Sequence, residues 1–352
     1  MNLNIVSENV CVVLNLITIS GDVLILKGLY ENRTVVIKAG FGEDSIRSKE
    51  VEIHKKLHAL QISAKSPTYV CPFIQELPPS FCFPTSILET PLQQWKIEKA
   101  EKSFLERLMK SEKGFIYPRQ GYIMDYYPSD LFSTFVESGQ NLNFTDTQFF
   151  AFAFKICTIV KWLHQNRVVH YDLKLDNLLV SDDGELVLCD FGFSEDTQFL
   201  IKLPDKKSPL YFKGSSYYRA PELFKDPFGN PFQCDIWSLG VLLFTGYFKY
   251  PPFTKPDPRA CFYYKEMKQC IADPNQIDQC HLFKWKIGGF SRKVVEFLLK
   301  FLNPDPVKRI TVDEIFLLPE MQDIQQSPNS LASISEFIKS GLKFDREATK
   351  TV

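Results

Sequence analysis

One stretch near the middle of the chain restricts the local fold more than any other part of the 352-residue sequence. Two mostly apolar runs of β-type residues, at 178–180 and 185–189, flank a polar turn that contains Asp183 and Gly184. An Asp-Gly pair between two such runs is typical of a β-hairpin. The hairpin would bring Asn177, directly before its first strand, beside Asp190, directly after its second strand.

Four polar side chains around this hairpin suit the handling of a magnesium-bound phosphate. Asn177 offers a neutral amide oxygen and Asp190 a carboxylate, and Mg²⁺ prefers such hard oxygen ligands. Asp172 and Lys174 precede the hairpin, and an extended backbone places side chains two residues apart on one side. A carboxylate there can accept a hydroxyl proton, while an ammonium can reach a phosphate. The spacing favours phosphoryl transfer to a hydroxyl over the alternative of an unrelated polar loop.

The sequence His-Tyr-Asp-Leu-Lys-Leu-Asp-Asn at 170–177, with Asp-Phe-Gly at 190–192, resembles the catalytic and magnesium-binding loops of eukaryotic protein kinases. The resemblance implies an α+β, two-lobed kinase-like fold, with a small β-rich N-lobe that has one main helix and a larger helical C-lobe. It implies ATP and Mg²⁺ as cofactors. The implied roles are catalytic base for Asp172, phosphate stabiliser for Lys174, and metal ligands for Asn177 and Asp190.

Motifs on both sides extend the resemblance from about residue 23 to residue 318. The Val-Val-Ile-Lys run at 35–38 is similar to the family strand whose lysine holds the nucleotide phosphates, which implies that role for Lys38. Glu50 is the expected helix partner of this lysine, because an isoleucine follows it by three positions, and Glu52 is the alternative.

The same resemblance implies an adenine site. Met124 would lie at its back and Leu179 under the ring, while the backbone of residues 125–127 would hydrogen-bond the adenine edge. Together with positions near the phosphate turn, the implied nucleotide-binding set is Gly21, Val23, Met124, Asp125, Tyr127 and Leu179.

Three further residues match positions that stabilise the fold of the family rather than positions that take part in catalysis. Glu222 ends an Ala-Pro-Glu motif, and Arg309 matches the arginine that pairs with this carboxylate. Asp235 begins the Asp-Ile-Trp-Ser-Leu-Gly run at 235–240 and would brace the backbone of the catalytic loop. A buried Arg–Glu fork would be structural, since the loss of one partner strands the other charge.

The chain departs from the family pattern at three places. The glycine-rich phosphate loop is missing, with only Gly21 near the turn and Asp22 able to repel phosphate. Tyr171 replaces the arginine before the catalytic Asp, so activation through a phosphate–arginine clamp is not expected. His54 stands where relatives place an apolar residue, and it could shift the helix position. The first departure favours an alternative function, a pseudokinase that binds nucleotide or acts as a scaffold with little turnover.

The substrate class follows from the same comparison. Lys174, and Ser215 after Gly214, match the serine/threonine pattern, so the implied partners are proteins with Ser or Thr hydroxyls. Asp176 and Asp130 lie where some relatives bind arginines, which favours basic substrates; two ordinary surface acids are the alternative. The Ala-Pro-Glu motif disfavours a kinase for small molecules. The sequence does not predict an oligomeric state.

Composition and charge bear on three other classes, namely proteins that bind nucleic acid, membrane proteins and secreted proteins. A net charge of −1 gives no indication of binding to nucleic acid or anionic membranes, and no apolar run reaches transmembrane length. The first residues lack the basic region and long apolar core that are typical of a signal peptide, so none is expected. The nine scattered cysteines are expected to be reduced thiols, which favours a cytoplasmic protein, with a nuclear location also open.

The predicted organisation has three parts. Residues 1–125 form the N-lobe, with an insertion at 77–118 that is either a surface excursion or a docking element. Residues 126–319 form the C-lobe, in which a capping box at Thr145 and Gln148 begins a helix. Residues 320–352 form a polar tail with an amphipathic stretch at 334–342, either regulatory or inert.

Overall fold

The structure, a computed structural model, describes residues 11–348 except for 44–45, 47, 66, 95–97, 112–113, 138–142, 199–216, 225–229, 255, 258–260 and 285–288. Gly214 and Ser215, predicted to indicate the substrate class, lie outside the described residues. The chain forms two compact units, Met1–Tyr126 and Tyr127–Val352. Within the described part of the chain, no helix combines the length and hydrophobicity needed to cross a membrane.

The first unit is built on an antiparallel sheet of five strands in the order β1-β2-β3-β7-β4. These strands are β1 Cys11–Ser20, β2 Val23–Tyr30, β3 Arg33–Gly40, β4 Phe73–Glu76 and β7 Gln120–Asp125. The β-type residues at 23–26 and 34–37 predict a hairpin with its turn at Glu31 and Asn32, and the pairing of β2 with β3 confirms this prediction. Glu31 and Asn32 have φ of 48° and 62°, and a two-residue turn with both central φ angles positive matches the twist of the strands that it joins.

The remaining elements of this unit cover the sheet. They are α1 Ser48–Ser63, β5 Phe83–Pro84, a 3₁₀ turn Thr85–Leu88, α2 Glu89–Gln94, α3 Lys99–Met109 and β6 Phe115–Ile116. Apolar residues at helical spacing predict a helix at 45–60, which corresponds to α1, and the sequence also predicts a helix around 94–109, where the structure has α3.

The segment at 77–118 is not merely a surface excursion. Six of its side chains are buried in one hydrophobic cluster with residues of β2, β3 and β7, among them Leu24, Ile37 and Ile123. The six are Phe81, Phe83, Leu88, Phe104, Leu105 and Ile116. Since apolar burial is the main favourable term in folding, this segment is part of the core of the first unit.

Replacing a buried leucine of α3 therefore tests the structural role of the segment. Leu105→Ala should lower the free energy of unfolding by about 2–5 kcal/mol, because Leu105 is fully buried and its truncation leaves a cavity. Glu106→Ala, at the neighbouring exposed position, is the matched control and should change it by less than about 0.5 kcal/mol. Urea denaturation measures both, and equal effects would contradict the core assignment.

The second unit is mainly helical. Its helices are α4 Asp146–Gln165, α5 Pro231–Phe248, α6 Phe262–Ala272, α7 His281–Lys284, α8 Arg292–Phe301, α9 Val312–Ile315, α10 Pro319–Gln325 and α11 Pro328–Ala348. The described residues of this unit also form short 3₁₀ turns at Leu175–Asn177, Pro221–Phe224 and Pro274–Gln279 and a π-helix at Ser133–Glu137. A β-rich first unit and a helical second unit confirm the α+β prediction.

The predicted capping box begins α4. The hydroxyl of Thr145 accepts a hydrogen bond from the backbone nitrogen of Gln148 at 3.2 Å, and the Gln148 side chain accepts one from the Thr145 nitrogen at 3.0 Å. These bonds satisfy backbone donors that the first helical turn leaves without partners. The apolar face of α4 then packs against α5 and α8 in the core.

Short strands in the second unit shape the loops. They are β8 Ser129–Asp130, β9 Val168–Val169, β10 Leu178–Val180, β11 Leu186–Leu188 and β12 Glu195–Asp196. The predicted hairpin is β10 and β11, which pair antiparallel with Leu178 opposite Leu188. Gly184, in the turn, has a φ of 77°, which glycine adopts without steric cost.

The segment predicted to be a tail folds onto the second unit. Helices α10 and α11 pack against α4, and Ile324, Ile334, Ile338 and Leu342 are buried. The amphipathic stretch predicted at 334–342 lies within α11, and its apolar side is the buried one.

Candidate active site

One buried carboxylate holds the catalytic-loop backbone. Asp235, at the start of α5 and fully buried, accepts hydrogen bonds from the backbone nitrogens of His170 and Tyr171, both at 2.8 Å. His164, at the end of α4, reaches the same carboxylate with its Nε2 at 3.0 Å. Tyr171 has a φ of 62°, a conformation that costs energy outside glycine and persists only where the surroundings enforce it. Asp235 supplies that enforcement.

His170 links the loop to the segment that contains Asp190. Its Nδ1 accepts from the Asp172 backbone nitrogen at 3.2 Å, and its Nε2 lies 3.1 Å from the carbonyl oxygen of Cys189. A nitrogen that faces an N–H must accept and one that faces a carbonyl must donate, so the imidazole is neutral with its proton on Nε2. The ring also meets Phe191 edge-on at 5.4 Å between centroids.

The structure brings Asp172, Lys174 and Asn177 together. The Lys174 ammonium lies 3.0 Å from Oδ2 of Asp172. The Asn177 amide nitrogen donates to the Asp172 backbone oxygen at 2.8 Å and to its Oδ2 at 3.3 Å. Because the nitrogen end of this amide is engaged by Asp172, the oxygen end of Asn177 is the one offered to a cation.

The hairpin places Asp190 near this cluster. The Cys189 nitrogen donates to the Asn177 carbonyl at 3.0 Å, so the residues that flank the hairpin are held side by side, as predicted. Asp190 itself has a φ of 60°. Burial alone would lower the pKa of Lys174, but the negative charges of Asp172, Asp176 and Asp190 raise it above its usual value. Lys174 therefore stays cationic at neutral pH, and its charge suits a phosphate.

The first unit contains the predicted lysine–glutamate pair. Lys38, in β3, lies 2.6 Å from Oε1 of Glu50 in α1, and both side chains are largely buried. The pairing identifies Glu50, rather than Glu52, as the partner. A third residue, which the sequence interpretation missed, joins them: the Tyr122 hydroxyl donates to the same Oε1 at 2.7 Å. Side chains alternate between the two faces of a strand, so Tyr122 and Met124 share one face of β7. This alternation could have indicated that Tyr122 belongs to the site.

His54 is a fully buried histidine of α1. Its Nε2 donates to the Cys71 carbonyl at 2.6 Å, and its ring packs edge-on against Phe73 and Tyr122 at 5.3 and 5.5 Å between centroids. These contacts fix α1 to the segment before β4 and to β7. A role for His54 in shifting the helix stays a prediction.

The residues predicted to bind adenine divide between the units. Met124 is buried in β7 opposite Val36. The Asp125 nitrogen donates to the Pro72 carbonyl at 3.1 Å, and the Asp125 carbonyl accepts from the Cys71 thiol at 3.5 Å, so both backbone groups of Asp125 have protein partners. Leu179, in β10, and Tyr127 are both partly exposed. Their adenine contacts stay predictions.

The turn between β1 and β2 stands in place of a glycine-rich loop. It consists of two residues, Gly21 with a φ of 59° and Asp22. The Asp22 carboxylate lies against Gly42, and the Asp22 carbonyl accepts from the Phe41 nitrogen at 3.1 Å. Val23, which follows, is buried. A two-residue turn offers few backbone N–H groups to a phosphate.

The predicted Arg–Glu fork is present and buried. Nη1 and Nη2 of Arg309 lie 2.6 and 2.9 Å from the two carboxylate oxygens of Glu222. The guanidinium also donates to the carbonyls of Asn303 and Gln233, and it stacks on Trp237 at 5.1 Å from the ring centroid. All of these contacts lie within the scaffold of the second unit.

Single substitutions in this fork should be costly. Glu222→Gln or Arg309→Met should each lower the free energy of unfolding by about 3–5 kcal/mol, because one buried charge loses its partner. The double substitution should cost less than the sum of the two. Asp278→Asn, in the exposed pair with Arg292, is the control and should change stability little, since solvent screens such pairs. Additive losses, measured by urea unfolding, would contradict the coupling.

Tyr171 occupies the position where the family has an arginine. Its ring is mostly buried, and burial, with the charges of Cys234 and Asp235 nearby, raises the pKa of its hydroxyl far above the usual value. The side chain is therefore neutral at all physiological pH values. Tyr171 therefore cannot supply the positive charge that would bind a phosphate group.

Comparison with known proteins identifies the class. The protein kinase domain model matches residues 104–319, more than half of the chain. The chain therefore belongs to the protein kinase family and has its two-lobed α+β fold. Lys38 and Glu50 lie before the matched range, so the support for them is the geometry of the first unit and the sequence resemblance.

Individual relatives agree with the family. The probable serine/threonine-protein kinase CCRP1 of Zea mays is 33% identical over 50% of this chain and 25% of that protein. The probable serine/threonine-protein kinase glkA of Dictyostelium discoideum is 27% identical over 62% of this chain and 46% of its own length. Calcium-dependent protein kinase 10 of Arabidopsis thaliana is 29% identical over 61% of this chain and 36% of its own length. The chain thus spans less than half the length of these relatives.

The residues present fit the cofactors that the family generally uses. The Asn177 amide is turned by Asp172 so that its oxygen is offered, and the Asp190 carboxylate lies within electrostatic range of Lys174. An amide oxygen and a carboxylate suit Mg²⁺. In the first unit, the Lys38 ammonium, held by Glu50, suits the phosphates of ATP.

Proposed function

We propose that the protein is an ATP-dependent serine/threonine protein kinase that transfers the γ-phosphoryl group of Mg-ATP to a hydroxyl of a protein substrate. The observation that carries the proposal is the cluster of Asp172, Lys174 and Asn177, joined by contacts of 2.8–3.3 Å. The relatives named as serine/threonine kinases support the substrate class. A cytoplasmic location, with the nucleus as the alternative, belongs to the same proposal and rests on the cysteine pattern.

The proposed mechanism assigns one task to each group. Asp172 accepts the proton of the substrate hydroxyl and orients its oxygen, while Lys174 neutralises charge on the transferred phosphate. Asn177 and Asp190 hold Mg²⁺, which, when bound, supplies charge neutralisation between the phosphates. Lys38, oriented by Glu50, binds the phosphates of the nucleotide. Every step is positioning or charge stabilisation, which is what phosphoryl transfer asks of a protein.

The hydrogen bond from Asn177 has a direct chemical use. It holds the Asp172 carboxylate in place without adding charge, and Lys174 lies on the same Oδ2. A carboxylate that is fixed by two donors loses little freedom when the hydroxyl of a substrate arrives. This preorganisation favours turnover over the pseudokinase alternative, which has no chemical use for the cluster. The short β1–β2 turn favours the pseudokinase, because it weakens phosphate binding.

A preference for basic substrates is part of the proposal. The observations that support it are stronger for Asp176 than for Asp130. Asp130 accepts hydrogen bonds from the Ser133 nitrogen at 2.8 Å and hydroxyl at 3.0 Å, so it also has a local structural role. Burial raises the pKa of Asp130, and the negative charge of Asp176 acts in the same direction, whereas the bonds from Ser133 act in the opposite direction. Asp176 is exposed and is the stronger candidate for binding a substrate arginine.

Phosphate transfer to a generic protein substrate tests the proposed activity. Asp172→Asn should reduce turnover by at least about a hundredfold, because the group that accepts the proton is lost. The fold should persist, since Asn keeps the size of the side chain. An increase in melting temperature upon addition of Mg-ATP measures nucleotide binding separately. If the parent and Asp172→Asn are equally inactive while Mg-ATP still stabilises both, the protein is a pseudokinase.

Regulation by an activation-segment phosphate is not expected, because Tyr171 supplies no charge to bind it. Treatment with phosphatase should leave the activity within about tenfold of the untreated protein, since the charge reader used by the family is absent. The phosphorylation state before and after treatment is checked by mass spectrometry. A larger loss of activity upon removal of phosphate would contradict the role assigned to Tyr171.

A further inference from the structure

The turn of the metal-binding hairpin is attached to the C-terminal helix α11. Glu185, at the end of this turn, receives two hydrogen bonds on its carboxylate. The Ser335 hydroxyl of α11 donates to Oε1 at 2.7 Å, and the Lys155 ammonium of α4 donates to Oε2 at 2.5 Å. Ser335 is buried, with 7% of its surface exposed. The carboxylate, whose side chain is partly exposed, therefore contacts two helices at once.

The backbone of the turn also touches α11. A Cβ added to Gly184 would lie 2.0 Å from the carbonyl oxygen of Ser335. Only glycine permits such an approach, and the φ of 77° at Gly184 excludes most other residues independently. The turn and the helix are thus in contact through both a side chain and the main chain.

The helix itself is firmly held. Ile334, Ile338 and Leu342 are buried on its inner side. The Phe337 ring packs against Phe144 at 5.1 Å between centroids, in a group of aromatic rings beside α4. Because the apolar face is buried against the second unit, α11 can act as a fixed support.

The hairpin is short enough to transmit this support. Each strand has three residues, so the turn lies about 10 Å from the ends of the hairpin. Those ends are the residues next to Asn177 and Asp190, the proposed metal ligands. A hairpin fixed at its turn and paired along its length holds both ends with little freedom.

We propose that Ser335 and Glu185 are positioning residues for the metal site, and that α11 is the element through which they act. The inference rests on the proposed function, because it concerns the Mg²⁺ ligands of that site. Partners outside the ligand shell commonly change metal affinity or activity by about 10–100-fold when they are removed. This assigns a positioning role to α11, which belongs to the segment of 320–352 whose role the sequence leaves open.

Charge placed at Ser335 tests the proposal most directly. Ser335→Asp sets a second carboxylate against Glu185 and should release the turn from α11. Ser333→Asp is the matched control, since Ser333 is exposed two positions away on the same helix. Ser335→Asp combined with Glu185→Gln should restore the contact, because the amide can donate to the new carboxylate.

Two readouts are measured on the full chain. The first is amide hydrogen exchange in residues 178–188, which should become faster in Ser335→Asp than in Ser333→Asp and return toward the parent rate in the double variant. The second is the Mg²⁺ concentration for half-maximal phosphate transfer, which should rise by about tenfold in Ser335→Asp. The maximal rate at saturating Mg²⁺ should change less.

The outcomes separate this inference from the proposed function. Unchanged exchange and unchanged Mg²⁺ dependence in Ser335→Asp would overturn the positioning role. Absence of transfer in the parent would overturn the proposed function, and the exchange data together with the Mg²⁺ dependence of ATP-induced thermal stabilisation would still decide the positioning role. Should Ser335→Asp fail to fold, Ser335→Ala, which only removes the hydroxyl, takes its place with the same readouts and the same criteria.

Discussion

The second unit depends on the Asp235 carboxylate more than on any other single group. It is fully buried, and it compensates for that burial by accepting from His164 and from the backbone of His170 and Tyr171. A buried charge without partners would be costly. These contacts hold Tyr171 at a positive φ, and the turn at Tyr171 sets the direction in which the following Asp172 points. Helix α5 thereby fixes the geometry of a loop that has little regular structure of its own.

Local chemistry made much of this predictable. The Asp-Gly turn predicted the hairpin at 178–189, the β-type residues on both sides of Glu31 and Asn32 predicted the strands β2 and β3, and the capping box predicted the start of α4. In the site, the resemblance to the kinase family implied that Lys38 pairs with Glu50 and Glu222 with Arg309, and the structure brings both pairs together. Such features are encoded within a few residues or fixed by one family pattern, so a single sequence suffices.

The rest depends on contacts between distant segments. The hydrogen bond from Tyr122 to Glu50 joins residues that are 72 positions apart in the sequence, and the bond from Ser335 to Glu185 joins residues that are 150 positions apart. Nothing in the local sequence specifies either pairing. The burial of the six apolar side chains between Phe81 and Ile116 was missed for a related reason. Their many polar and proline neighbours are typical of a loop, while the large apolar side chains among them pack on a sheet whose strands lie elsewhere in the chain.

The position of β7 in the sheet affects how the first unit can form. Strand β7 lies between β3 and β4, and its Asp125 pairs with Val35. The central pairing of the sheet therefore closes a long loop, and closure of distant contacts slows folding. On the ribosome, β1, β2 and β3 emerge as a meander whose β3 edge is unpaired until β7 follows. Helices α2 and α3 lie within the closing loop, and their early formation would shorten the free chain that must be ordered.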